Sequence, residues 1–328
     1  MRRTFLKTIP AAVYTSVAGG GLLSAPVARA EDNWPSKPVR LIMPAAPGGG
    51  SDTVGRIVAQ ALSDRIGQPV VVDNRAGAAG TLGVTVGLQA PADGYTFIWC
   101  TPSAQITTPG SLRYDPAKDL APVSMLVAAS YMLVVNPQLP YRNVQELIQA
   151  ARAKPGSFNY ATAGTGTFGH LMAAYFGLST HTDLVQIPFT GEGPAMVAIM
   201  GGEVQMGFIS GAGALPHVKA GKVRALGVSS AARMEGVPAE IPLVAQTVPG
   251  FDMVAINYMA ARAGTPKPIV DKMSQAVQAV LAMPSVRERI VALGVSPVSS
   301  SPQELGRRVA AERAKVVDVM QRAKIVLE

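Results

Sequence analysis

The sequence is poor in the residues that build covalent or catalytic apparatus. Among 328 residues there is one cysteine and there are three histidines; aromatics make up 5% and charged residues 15%. A single cysteine, Cys100, excludes an intrachain disulfide and a thiolate metal site. Lying in the apolar run Tyr95–Cys100, it reads as a small core residue. His170, His181 and His217 lack the i, i+4 spacing of a helical metal pair, and no G-x-S-x-G elbow exists. No catalytic set, metal or cofactor follows, so the chain reads as a non-enzyme. Nor is there a run of lysine and arginine with interleaved aromatics. The formal charge is +8, but Arg2, Arg3, Lys7 and Arg29 all fall in the first thirty residues. Without them 29 basic residues become 25 against 21 acidic, a scattered surplus of four that argues against nucleic acid.

What is present begins with an export signal. Arg2-Arg3-Thr4-Phe5-Leu6-Lys7 is a basic start with a twin-arginine pattern, a weakly apolar stretch follows, and Ala28-Arg29-Ala30 is a small-x-small cleavage site. Residues 1–30 are therefore read as a signal peptide cut after Ala30, delivering a mature chain from Glu31 to the periplasm. An ordinary Sec signal carrying two arginines is the alternative. A membrane anchor is disfavoured, because Pro10, Gly19-Gly20-Gly21 and Pro26 interrupt the ~20 apolar residues a span needs. No cysteine follows the cleavage site to carry a lipid.

Beyond the signal, strand and helix periods alternate. Val39–Met43 reads as a strand, followed by a turn at Pro47–Asp52 and a helix whose apolar face is Val54, Ile57, Val58, Ala61, Leu62 and Ile66. Gly67 ends that helix. Val70–Val72 and Tyr95–Cys100 are further strands. The pattern restarts with Asn143 capping a helix to Ala153, a strand at Phe158–Thr162 and a helix at His170–Leu178. Strands follow at Val185–Phe189, Val204–Ile209 and Val223–Val228, with helices around Ala195–Met200 and Pro216–Ala220. A return strand at Met253–Met259 precedes three helical segments from Lys267 onward. Such units imply parallel α/β sheets, and the late return suggests two lobes joined by crossing strands.

Ligands of open α/β sheets bind beyond the carboxyl ends of the strands. Here those ends are glycine- and hydroxyl-rich: Gly48–Asp52, Gly77–Gly80, Thr101-Pro102-Ser103, Ala163–Gly169, Thr190–Gly193 and Ser210–Gly213. Glycine admits close backbone approach, and a helix N-terminus after each loop adds partial positive charge, which together suit an anion. One such loop would be only a tight turn; several at equivalent positions argue for a shared cleft.

These loops carry a resemblance. Pro44-Ala45-Ala46-Pro47-Gly48-Gly49-Gly50-Ser51-Asp52 and Asn74-Arg75-Ala76-Gly77-Ala78-Ala79-Gly80 resemble the first-lobe signatures of the Bug family, the extracytoplasmic solute receptors of tripartite tricarboxylate transport systems. Tyr160–Gly166 with His170-Leu171, Ile187–Pro194 and Arg262–Pro266 resemble its later stretches. The resemblance implies an α/β, two-lobed periplasmic-binding-protein fold of the type-two, Venus-flytrap kind with a central cleft. Residues 31–128 with 255–328 would form the first lobe and 129–254 the second. It implies a small carboxylate as ligand, held by Pro47, Gly48, Gly49, Gly50, Ser51, Asp52, Gly77, Ala78, Ala79 and Gly80, with Ser103 beside them. Thr162, Thr165, Gly166, Thr167 and Thr190 would face this clamp, and Gln205 would bear on specificity. Implied partners are membrane permease subunits bound transiently by a monomer; a membrane sensor would use the same binding chemistry.

Two departures and one decoy complete the reading. Gln205 stands where the family usually has an acid, which either relaxes selection for a ligand amino group or is structural. Ile256-Asn257-Tyr258 stands where the family often has a Trp-x-Gly before the return loop, which is either local repacking or a reshaped pocket wall. Gly164-Thr165-Gly166-Thr167-Phe168-Gly169 matches the dinucleotide fingerprint, but Asp183 precedes the next strand instead of ending it, so the ribose contact is misplaced. Asp52 is expected to cap the helix that follows it.

Overall fold

Three apolar runs of the first part form a parallel sheet, with β1 (Val39–Met43) between β2 (Val70–Asn74) and β3 (Thr96–Cys100). The computed structural model describes residues 33–45, 47–48, 50–77, 80–102 and 114–325. Helix α1 (Gly50–Ile66) buries Val54, Ile57, Val58 and Leu62 and stops at Gly67, whose φ of 71° only glycine adopts freely. Ser63 Oγ accepts from Val70 N–H at 2.8 Å, tying the helix end to β2. A further helix, α2 (Thr81–Gln89), joins β2 to β3.

After a short helix α3 (Pro116–Asp119) the chain enters β4 (Leu120–Val135), sixteen residues long and absent from the sequence expectation. It organises the molecule. From Leu120 to Ser130 it runs antiparallel to β9 (Val254–Arg262); from Tyr131 to Val135 it runs antiparallel to β7 (Met206–Ser210) and pairs with β8 (Arg224–Val228). The parallel pairs β5 (Phe158–Thr162) with β6 (Leu184–Pro188) and with β7 complete the second half. The strand order is β2-β1-β3-β9-β4-β7-β5-β6, with β8 and the two-residue β10 (Ser296–Pro297) beside β4. Residues Pro35–Glu328 make one compact unit.

Local chemistry fixes the helices. Asn143 Oδ1 accepts from Glu146 N–H at 2.8 Å while Glu146 Oε2 accepts from Arg142 N–H at 2.7 Å, a reciprocal cap that starts α4 (Val144–Ala153). Helices α5 (Phe168–Thr180), α6 (Glu192–Gly201) and α7 (Gly211–Lys219) each follow a strand end. The chain closes with α8 (Lys267–Ala282), α9 (Pro284–Val291) and α10 (Pro302–Arg322), the last capped by Ser301 Oγ. The second-half core centres on Phe176, Phe208 and Phe251, whose ring centroids lie 5.8–6.0 Å apart. Burying each such ring is worth ~1.5–3 kcal/mol. Val316 and Met320 of α10 join this core, so the final helix seals a half of the sheet remote from it in sequence.

Cys100 is fully buried, and burial pushes its thiol up to about 12, in keeping with a core role. Tyr258, opposite Cys100 in the β3–β9 ladder, is likewise interior, so at this one residue the departure is local repacking. No helix among the described residues is long and apolar enough to cross a membrane.

Candidate functional site

The strand ends enclose a cavity of about 610 Å³. Its floor is a patch of sheet. Val127, Ala129 and Tyr131 alternate along β4, and Val127 and Ala129 pair with Asn257 and Ala255 of β9, so all five point to one side. Trp99 of β3 joins them, its Nε1–H donating to Asn257 Oδ1 at 3.2 Å. The floor is thus a broad apolar surface with one amide and one phenol. Burial, reinforced by the charge of Glu192, holds the Tyr131 phenol well above its ordinary value, so it keeps its proton.

Helix N-termini form the walls. Ser51 and Thr53 come from the start of α1 and Gly80 from the cap of α2. Across from them stand Thr167, the cap of α5; Glu192, in the first turn of α6; and Ser210, the cap of α7. The first N–H groups of a helix lack intrahelical acceptors and carry its positive end, so these termini bring partial positive charge to the cavity. Gly80 fits because of its missing side chain: its φ is 94°, and a Cβ there would sit 3.3 Å from Thr101 Oγ1. On the last side Leu293 and Val295 flank Gly294, whose carbonyl would lie 2.9 Å from a Cβ added at Gly211. Backbone there approaches backbone closely.

Of the residues expected at the site, Gly48, Ser51, Gly77, Gly80 and Thr167 line the cavity. Gly49, Ala78, Ala79 and Ser103 lie outside the described residues. Pro47 is exposed beside the loop, and Gly50 begins α1. Asp52 is 2% exposed and sits beneath the loop, but it does not cap α1 in the expected way. Its Oδ2 accepts from Gly48 N–H at 2.8 Å and Arg56 Nε–H at 2.9 Å, and its Oδ1 accepts from Asn74 Nδ2–H at 2.8 Å. Burial opposes its ionisation, yet hydrogen bonds from Arg56, Asn74 and Gly48 outweigh that and lower its pKa. The Gly48 amide is therefore committed to Asp52, which corrects its expected role as a ligand donor.

The second-half expectations are corrected further. Thr162 is buried at the end of β5 and its Oγ1 accepts from Gln186 Nε2–H at 2.9 Å. Gly166 gives its N–H to His170 Nδ1 at 3.1 Å, so His170 braces the loop, and burial lowers its pKa to about 4. Thr165 and Thr190 are exposed and do not line the cavity. Gln205 lies at the amino end of β7, away from the carboxyl ends, and its Oε1 accepts from Asn159 N–H at 2.8 Å. It is a backbone brace between strands, so of its two readings the structural one holds. Glu192 and Tyr131 line the cavity without having been anticipated, whereas Asn257 lines it within the departing stretch Ile256-Asn257-Tyr258, where a reshaped pocket wall is one of the two expectations. An isolated acid in a glycine-rich loop was the available signal for Glu192. Nothing local marked Tyr131, which belongs to a strand not foreseen.

Comparison with known proteins agrees with this geometry. The family model described as tripartite tricarboxylate transporter family receptor matches residues 54–325. The chain is 34% identical over 307 residues to the protein BugT of Bordetella pertussis, covering 92% of this chain and 92% of that one. An R. palustris protein solved with adipate is 32% identical with a TM-score of 0.80, covering 90% of this chain and 99% of the other. MatC from Rhodopseudomonas palustris with bound malate is 30% identical with a TM-score of 0.75, covering 87% and 99%. Matched across most of its length by sequence and by fold, the chain belongs to the tripartite tricarboxylate transporter receptor family, a family of periplasmic solute-binding receptors.

Proposed function

We propose that this receptor binds a small carboxylate in the cavity and releases it unaltered to a membrane permease. The observation that carries the reading is the convergence of the α1, α2 and α5 N-termini on one cavity that has no lysine, arginine or histidine among its described lining residues. Helix-terminal amides and hydroxyls are then what remains to hold an anion. Relatives solved with adipate and malate support the ligand class. Residues 31–128 with 255–328 and residues 129–254 would act as the two lobes, with the exported chain cut after Ala30 and working as a monomer. Ser51, Gly77, Gly80 and Thr167 would contact the ligand, joined by Tyr131 and Asn257.

The test is a thermal-shift screen of mono-, di- and amino-carboxylates on the mature protein. A true ligand at 100 times its Kd adds ~2.7 kcal/mol to stability. Melting that no carboxylate moves would overturn the reading, as would recovery of a bound carboxylate in chemically altered form.

A further inference from the structure

Glu192 is the one charged residue among the described residues lining the cavity, and it stands among donors suited to an anion. Its Oε1 accepts from Ser210 N–H at 3.1 Å and its Oε2 from Ser210 Oγ–H at 2.6 Å. Ser210 Oγ in turn accepts from Gly213 N–H at 3.2 Å. The hydroxyl's one proton is thus given to Glu192, and Ser210 has neither its amide nor its hydroxyl left to donate to a ligand. The negative end of Glu192 lies in the first turn of α6 and against the cap of α7, where both helices favour negative charge. A carboxylate of the protein therefore occupies the second-half anion position. On the α1 and α2 side no acidic side chain lines the wall among the described residues.

We infer that Glu192 determines specificity, and that the receptor selects a ligand carrying a cationic nitrogen as well as a carboxylate, an amino acid or ω-amino acid in preference to a dicarboxylate. The inference rests on the reading of the cavity as a carboxylate site. A second ligand carboxylate meets Ser210, whose donors are spent, and a charge that repels it. A ligand ammonium finds the lone pairs that Ser210 leaves open on Glu192, and it neutralises a charge that would otherwise be costly to bury. Tyr131 and Phe168, with ring centroids 5.7 Å apart, line the same part of the cavity and add aromatic surface of the kind that attracts cations.

Calorimetry on the mature protein tests this with matched acids: adipate, hexanoate, 6-aminohexanoate and 2-aminohexanoate, and the same four types at chain lengths from three to eight carbons. The parent should bind an amino-bearing acid at least tenfold tighter than the dicarboxylate and simple acid of equal length. Glu192→Gln, which keeps an oxygen for Ser210, should erase that preference while the unliganded protein melts within a few degrees of the parent. Should plain or dicarboxylic acids bind the parent as well as their amino counterparts, the inference falls and the carboxylate-receptor reading stands. Should no member bind, both fall. A preference for amino acids that survives in Glu192→Gln would also overturn the role given to Glu192.

Discussion

Replacing Asp52 by alanine should separate the support of the first-half loop from the contacts it makes with ligand. The carboxylate is 3% exposed and accepts from Gly48, Arg56 and Asn74. These bonds are not equal. The Asn74 bond is partly buried and charge-assisted, worth ~1.5 kcal/mol. Gly48 is exposed, so water can replace the lost acceptor, and ~0.5–1 kcal/mol is at stake there. Arg56 is half-exposed, and its i, i+4 pairing is worth ~0.3–0.5 kcal/mol. The total is about 2–3 kcal/mol, or roughly 5 °C in Tm for a chain of this size. Affinity should fall too, since Gly48 and Ser51 flank the anchor.

The pH dependence has a definite sign. Asp52 titrates below its ordinary 3.8 in the folded protein. Its contribution is complete above the unfolded value, ~3.9, and disappears as pH falls through the depressed folded value. Parent and Asp52→Ala should therefore differ in urea midpoint at pH 7 and converge as the pH falls below about 4. An alanine variant that melts within 1 °C of the parent at neutral pH, or a gap that persists undiminished under acid, would refute the reasoning.

Other outcomes follow from single contacts. His170 stays neutral down to about 4 in the folded protein while the unfolded chain protonates near 6.5, so stability should fall with pH between those values by up to ~1.4 kcal/mol per unit. His170→Asn, which keeps an acceptor for Gly166, should flatten that slope in denaturant titrations; an unchanged slope assigns it elsewhere. Gly211→Ala places a Cβ 2.9 Å from Gly294 O and 3.3 Å from Ser130 O, both backbone, and should cost ~1–3 kcal/mol and weaken ligand binding; a parent-like melt and affinity would refute it. Replacing Arg2 and Arg3 by lysine should abolish periplasmic delivery in a fractionation assay, whereas undiminished export would identify the Sec route.

Much of the fold was legible because local signals suffice where burial is regular. Val39–Met43 and Phe158–Thr162 were read to the residue, and Asn143 was recognised as a cap from its chemistry alone. Strand β4 was not, for a physical reason. Its register slips at Pro122/Ser124 and again at Met125/Val127, and such irregularities break the period of two on which strand recognition depends. The site was legible to the same extent. Loops at strand ends announced a cleft, but partners chosen by tertiary contact did not appear. The commitment of Gly48 to Asp52 is a case in point, and so is the pairing of Glu192 with Ser210 eighteen residues away.

The unforeseen strand also places one cavity floor across both halves of the sheet. Val127 and Ala129 pair with β9 on one side of the exchange point, and Tyr131 pairs with Ser210 of β7 on the other. All of them line the cavity. A solute lying on this floor therefore touches both halves of the sheet at the place where β4 changes partners. A ligand shifts a conformational equilibrium only by its difference in affinity for the two states. Contacts confined to the α1 and α2 wall touch only one of the two halves and would give no such difference. On the proposed reading, a carboxylate held there whose other end engages Glu192 on α6 would give one, since those two contacts would coexist only when both halves face the ligand together.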